Sequence, residues 1–303
     1  MEFLRLLEKI RNPVFDFIFS LITKLGEETA FMAVAIVIFW CFSKKNGYYI
    51  LSVGFIGTVL NQFLKLLFRI PRPWVKDPSF SIVESARAEA TGYSFPSGHT
   101  QNSVGTFGAL AYIFKKKWVR IVCIVICALV PISRMYLGVH TPLDVLVSVG
   151  IALALIFLVK PIFDKAEDNP KIMYIFFGAM FALSLFFLFF VLFFPFPADL
   201  DPHNYESGLK NACTLLGATG GFLIAYPLER KYVSFDVSGK WYTQVIKSAI
   251  GLGLVLAIKV LLKPLLLLFL PAMVERAIRY AIIVIFAAVV WPLTFKFFKK
   301  FEK

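Results

Sequence analysis

The chain has 303 residues, 59% of them hydrophobic and only 17% charged, against about 25% charged in ordinary soluble domains. Apolar runs of roughly 20 residues recur along almost its whole length, which excludes a soluble globular domain and defines a polytopic membrane protein. The net charge of +13 sits in short Lys/Arg clusters between those runs; with no basic patch interleaved with aromatics, it points to anionic head groups rather than nucleic acid.

In chain order, apolar runs between charges and Pro/Gly breaks predict ten helices, at 13–25, 29–43, 47–68, 98–114, 119–136, 142–160, 172–194, 209–228, 245–267 and 277–297. The first is short for a bilayer and fits either a span or an interfacial helix. The N-terminus does not read as a cleavable signal, because Glu2 and Glu8 interrupt its basic region and no small-residue cleavage site follows. Cys41, Cys123, Cys127 and Cys213 lie within apolar runs without the histidines a metal set needs, and read as packing residues. Counted on alternate sides, 20 cations flank one face and nine the other, with Lys65, Arg134 and Lys259 inside or at the ends of spans. The positive-inside rule makes the richer side cytoplasmic and puts the residues considered next on the extracytoplasmic side.

Lys65 stands near the end of the third run, where a lysine is costly unless it functions or snorkels to the surface. Arg72 follows two helical turns later between Pro71 and Pro73, which stop the helix and leave the guanidinium at its rim. A planar guanidinium suits bidentate phosphate contact, and an ammonium supplies a compact charge. Pro96-Ser97-Gly98-His99 opens the fourth run: Ser97 reads as an N-cap, Gly98 allows close approach, and the first turn offers free N–H groups to an anion. His99 is then placed to donate a proton to a departing oxygen, although the tetrapeptide alone is also an ordinary capped start. Ser133-Arg134 closes the fifth run, and His140-Thr141-Pro142-x-Asp144 opens the sixth. Proline at the first helical position and a carboxylate at the third are ordinary helix-start chemistry. Yet Asp144 follows His140 by one turn, so it can hold one imidazole nitrogen and leave the other free as a nucleophile.

Together these strings resemble the signature of the type 2 phosphatidic acid phosphatase (PAP2) superfamily, which also includes vanadium haloperoxidases and glucose-6-phosphatases. The resemblance rests on Lys65, Arg72 and Pro73, on Pro96, Ser97, Gly98 and His99, and on Ser133, Arg134, His140 and Asp144, with the family's spacings. It implies an all-α, polytopic membrane helix bundle: a six-helix catalytic core at residues 1–160, with 161–303 adding about four further helices. It implies that His140 attacks phosphorus to form a phosphohistidine, with Asp144 raising its nucleophilicity and fixing its tautomer. His99 would protonate the leaving oxygen and then activate water. Lys65, Arg72, Ser97, Gly98 and Arg134 would bind the phosphoryl oxygens. No metal or other cofactor is implied, and vanadate, a pentacoordinate phosphate mimic, should inhibit. Haloperoxidase chemistry fits poorly, since those relatives are soluble.

A site at head-group depth favours a lipid phosphate or diphosphate: phosphatidic acid, phosphatidylglycerol phosphate, a polyprenyl diphosphate or a phosphorylated sphingoid base. The motifs grip only the phosphoryl group and do not choose among these. Transfer of the phosphoryl group to a lipid acceptor, a water-soluble sugar phosphate, or transport of a phosphorylated solute are the alternatives; transport predicts internal symmetry, which the sequence lacks. Glu28, Glu84, Arg87 and Glu89 either select head groups or are solvated surface, and His203 reads as a solvated loop residue. A bacterial inner membrane and an endoplasmic reticulum would give the same charge pattern. Oligomeric state is not legible.

Overall fold

The computed structural model of the chain describes residues 1–300, and among them every regular element is helical. The chain opens with α1 (Glu2–Lys9), α2 (Pro13–Thr23), α3 (Glu28–Cys41) and α4 (Lys44–Phe68). A single turn, α5 (Pro73–Lys76), and a long loop follow. Then α6 (Gly98–Ser103) runs through a π-helical turn at Val104–Gly108 into α7 (Ala109–Ile113). The remaining helices are α8 (Lys117–Tyr136), α9 (Pro142–Asp168), α10 (Lys171–Phe193), α11 (Pro202–Leu228), α12 (Trp241–Leu267), α13 (Ala272–Ile285) and α14 (Phe295–Lys300). Each of the ten expected segments is helical, and six stretches are long and apolar enough to cross a membrane. The fold class is as the sequence implies.

The chain forms two compact units, one of residues 1–34, 50–161 and 195–208 and one of 35–49, 162–194 and those from 209 on. In the first unit, Gly54 on α4 gives the ring of Phe31 its room: a Cβ there would lie 2.1 Å from Phe31 Cζ. The second unit is built on aromatic packing, with Phe177 stacked on Phe222 and Tyr48 edge-on to Tyr226. Trp40 donates its indole N–H to Ala287 O at 2.7 Å, which satisfies the one polar atom of a fully buried side chain.

The structure decides how the first apolar helix sits. Asn12 caps α2, accepting from the N–H groups of Val14 and Phe15, and Pro13 takes the first helical position. At that end Tyr136 donates its hydroxyl to Asp16 Oδ1 at 2.7 Å, and at the other end Arg134 Nη1 donates to Thr23 Oγ1 at 2.8 Å. Tyr136 and Arg134 are neighbours at the close of α8, so α2 lies across the end of α8 instead of running away from it. Eleven residues also reach only about 16 Å, half a bilayer core. α1 is on the same side: Arg5 donates to Asp77 Oδ2 at 2.6 Å, Arg11 donates to Tyr136 O at 2.9 Å, and Leu4 packs with Phe80 and Ile82. Two boundaries also differ from expectation. Asp201 accepts from the N–H groups of His203 and Asn204, so α11 starts at Pro202 and exposed His203 lies in its first turn. α9 continues through Pro161 to Asp168.

Candidate active site

All eight residues singled out from the motifs lie in the first unit, at the end of α4, the starts of α6 and α9, the end of α8 and the loops between. Lys65, Arg72, Ser97, Arg134, His140 and Asp144 are each at most 6% exposed. So many buried polar groups persist only if they are partnered, and their partners tie the three motifs together.

Asp144 is the hub. Its Oδ2 accepts from Ser94 Oγ at 2.6 Å and from the Thr141 N–H at 2.8 Å, while its own N–H donates to Thr141 Oγ1 at 3.3 Å. That reciprocal exchange is a capping box at the start of α9. The same Oδ2 stands 3.5 Å from His140 Nδ1, a charge contact rather than a formed hydrogen bond. The backbone joins in as well, since the Ser97 N–H donates to Asp144 O at 3.1 Å.

Nε2 of His140 faces Arg72 Nη1 at 3.3 Å. Arg72 is held by donating to Val139 O at 3.0 Å, Gly92 O at 3.0 Å and Thr91 O at 2.7 Å. Lys65 Nζ reaches the Tyr93 and Ser94 carbonyls of the same loop. Burial first, then Arg72, Lys65 and Arg134 nearby, hold the His140 imidazole well below its ordinary pKa against the opposing pull of Asp144. The ring is therefore neutral near pH 7, with Nδ1 turned to a carboxylate and Nε2 to cations.

Ser97 caps α6, its Oγ accepting from the Thr100 N–H at 3.4 Å, and Gly98 opens the helix with space where a Cβ would be, 3.8 Å from Asn61 Oδ1. His99 in that first turn has a side chain 16% exposed. Gly26, at the turn after α2, packs so closely on it that a Cβ would lie 2.7 Å from His99 O. Arg134, fully buried, brings its guanidinium from α8 into the same neighbourhood.

Three partners carry no motif signal: Ser94 on Asp144, Thr23 on Arg134, and Glu89, whose Oε2 lies 3.4 Å from His99 Nε2. Ser94 and Thr23 are ordinary hydroxyls in the sequence, and nothing local marks them. Glu84 and Arg87, by contrast, pair with each other at 2.7 Å on the surface. A separate cavity of about 370 Å³ in the second unit, lined by Lys44, Tyr48 and Glu229 among others, takes in none of the eight residues.

A helical membrane fold that buries three cations, one histidine and a carboxylate at one end, with a second, partly exposed histidine beside them, defines a phosphoester-processing membrane enzyme. A family model described as PAP2 superfamily matches residues 45–168, and another, described as PAP2 superfamily phosphatase, transmembrane extension, matches 213–303. Phosphatidylglycerophosphatase B of Bacillus subtilis is 33% identical over 171 residues, which cover 52% of this chain and 80% of that protein. Undecaprenyl-diphosphatase BcrC of the same organism is 31% identical over 153 residues, 48% of this chain and 74% of the relative. A lipid A 4'-phosphatase of Porphyromonas gingivalis is 26% identical over 54% of this chain and 72% of its own length. Among solved structures, a transmembrane PAP2 type phosphatidylglycerolphosphate phosphatase from Bacillus subtilis is 31% identical, covering 54% of this chain and 83% of that one with a TM-score of 0.45. The chain belongs to the PAP2 superfamily and is a membrane phosphatase of that family.

Proposed function

We propose that the protein hydrolyses a lipid phosphate or diphosphate at the extracytoplasmic membrane face, without a metal, through a phosphohistidine on His140. One observation carries the reading: a single buried imidazole has a carboxylate at Nδ1, 3.5 Å away, and an arginine at Nε2, 3.3 Å away. A ring so placed keeps its proton on Nδ1 and aims the Nε2 lone pair into the cations that hold a phosphoryl group.

In the first step Nε2 bonds to phosphorus as the ester P–O bond breaks. The electron pair of that bond stays on the leaving oxygen, which takes a proton from His99. In the second step water bonds to phosphorus, His99 recovers a proton, and the P–N pair returns to Nε2, releasing inorganic phosphate. Lys65, Arg72 and Arg134, with Ser97 and the Gly98 N–H, stabilise the charge on the phosphoryl oxygens.

The relatives named for phosphatidylglycerophosphate, undecaprenyl diphosphate and lipid A support a lipid substrate. With α1 packed beside the motif loop, Arg5, Lys9 and Arg11 join the motif side, and the charge count becomes 17 against 12. Its sign is unchanged, which supports the extracytoplasmic placement. Residues 1–160 serve as the catalytic core and 161–303 as its membrane extension.

The test is phosphate release by purified protein in detergent with EDTA, across phosphatidic acid, phosphatidylglycerol phosphate, a polyprenyl diphosphate and a sphingoid phosphate. Metal-independent release, blocked by vanadate and lost in His140→Ala, is expected. Activity that survives in His140→Ala, or that EDTA abolishes, would refute the mechanism.

A further inference from the structure

Glu89 belongs to none of the motifs, yet it is the carboxylate that meets His99. Its Oε2 lies 3.4 Å from His99 Nε2, an ion-pair distance whose angles do not complete a hydrogen bond. The carboxyl is held below its ordinary pKa, chiefly by the imidazole facing it, so it stands ionised beside the ring. The other influences on that ring oppose its charge. Burial first, then Arg134 on α8 and Arg72 after α4, hold the imidazole below its ordinary pKa against the pull of Glu89. Glu27, at the turn after α2, places a second carboxyl against Glu89. A leaving-group acid must carry its proton when the substrate arrives. Among these neighbours Glu89 is the one whose charge favours that form at contact distance.

We propose that Glu89 is the positioning residue for leaving-group protonation: it holds protonated His99 by Nε2 and so leaves Nδ1 to deliver the proton to the departing oxygen. The proposal rests on the reading of His99 as the leaving-group acid. Glu89 stays a carboxylate throughout. The proton moves from His99 to the oxygen that keeps the P–O electron pair. His99 is then neutral, and the proton it later takes from water restores the pair with Glu89.

The need for that proton depends on the leaving group. An alkoxide cannot depart without it, whereas a nitrophenolate can. The test is therefore kcat/KM, which reports only steps up to leaving-group release, across micellar phosphates that share one hydrocarbon tail and differ in leaving-group acidity. Glu89→Gln should steepen the fall of log kcat/KM with leaving-group pKa and raise the aryl-to-alkyl ratio about tenfold, a part of the roughly hundredfold or more that complete loss of acid catalysis costs. Glu89→Asp should restore part of it, and His99→Gln should give the same pattern more strongly. An equal loss on every substrate in Glu89→Gln would make Glu89 merely structural, and an unchanged ratio would also overturn the proposal. If His99→Gln itself shows no leaving-group dependence, the assignment of His99 fails, and Glu89 loses its role with it.

Discussion

Ser94→Ala tests whether the carboxylate hub works as the geometry says. Asp144 Oδ2 has two close donors, Ser94 Oγ at 2.6 Å and the Thr141 N–H at 2.8 Å, and both Ser94 and Asp144 are almost wholly buried. Deleting one donor to a charged acceptor costs about 1.5–3 kcal/mol. The Thr141 N–H still pins the carboxylate to the start of α9, so the group is loosened but not lost. If about half of that cost falls on the transition state, kcat/KM drops about four- to twelvefold, since 1.36 kcal/mol is a factor of ten; the rest appears as lower thermal stability. The assay is a double-mutant cycle with Asp144→Asn, reading kcat/KM on a lipid phosphate and the melting temperature in detergent. Because Ser94 acts through Asp144, its deletion in the Asp144→Asn background should cost less than about twofold. A loss of the same size in both backgrounds would refute the reasoning, because the Ser94 hydroxyl would then act independently of the Asp144 carboxylate.

Gly26→Ala should lower kcat/KM by about tenfold or more, because a displacement near 1 Å in a catalytic group can cost a hundredfold. Its Cβ would lie 2.7 Å from His99 O and 2.9 Å from His99 Cβ, so the backbone carrying His99 must move, while Gly253→Ala, with open space around it, is the control; equal rates in the two would refute the contact. Stability should also depend on pH through His140, whose folded pKa is well below its unfolded value of about 6.5. The unfolded chain then binds the extra proton, so this contribution is present above about pH 6.5 and is lost progressively as pH falls below it. Denaturation of the wild type and His140→Gln at several pH values checks it: the wild type should lose more stability on acidification, and parallel pH slopes would refute it.

Much of the site was legible because its cations and histidines lie at the ends of apolar runs, where a polar residue stands out against hydrocarbon. The helices were legible for the same reason, and their misplaced edges show where the criterion failed. Residues 202–208 are polar, so hydropathy began α11 too late, although Asp201-Pro202 is itself a cap followed by a proline at the first helical position. The range of α2 was close, but its course was not readable. That course is set by Asp16 on Tyr136 and Thr23 on Arg134, contacts across more than 100 residues. Ser94 and Glu89 escaped identification as site partners because a loop residue acquires its role only when tertiary structure brings it to its partner.

Asp144 also shows why two readings of one residue need not compete. From the sequence, a carboxylate at the third position of a helix is sufficiently explained by capping, and equally by orienting a histidine one turn earlier. In the structure one oxygen does both: Oδ2 takes the Thr141 N–H and faces His140 Nδ1. The cap fixes that oxygen relative to the backbone of α9, and the helix start therefore fixes the ring that precedes it. The other motifs bind to the same point. Ser97 donates its N–H to Asp144 O, and Arg72 donates to Val139 O, next to His140. A nucleophile built this way needs no dedicated scaffold, because the hydrogen bonds that begin two helices and close a loop already specify its position. It follows that mutations at these starts should damage geometry and stability together, whereas Glu89, which caps nothing and is 36% exposed on its side chain, should affect chemistry with little loss of fold.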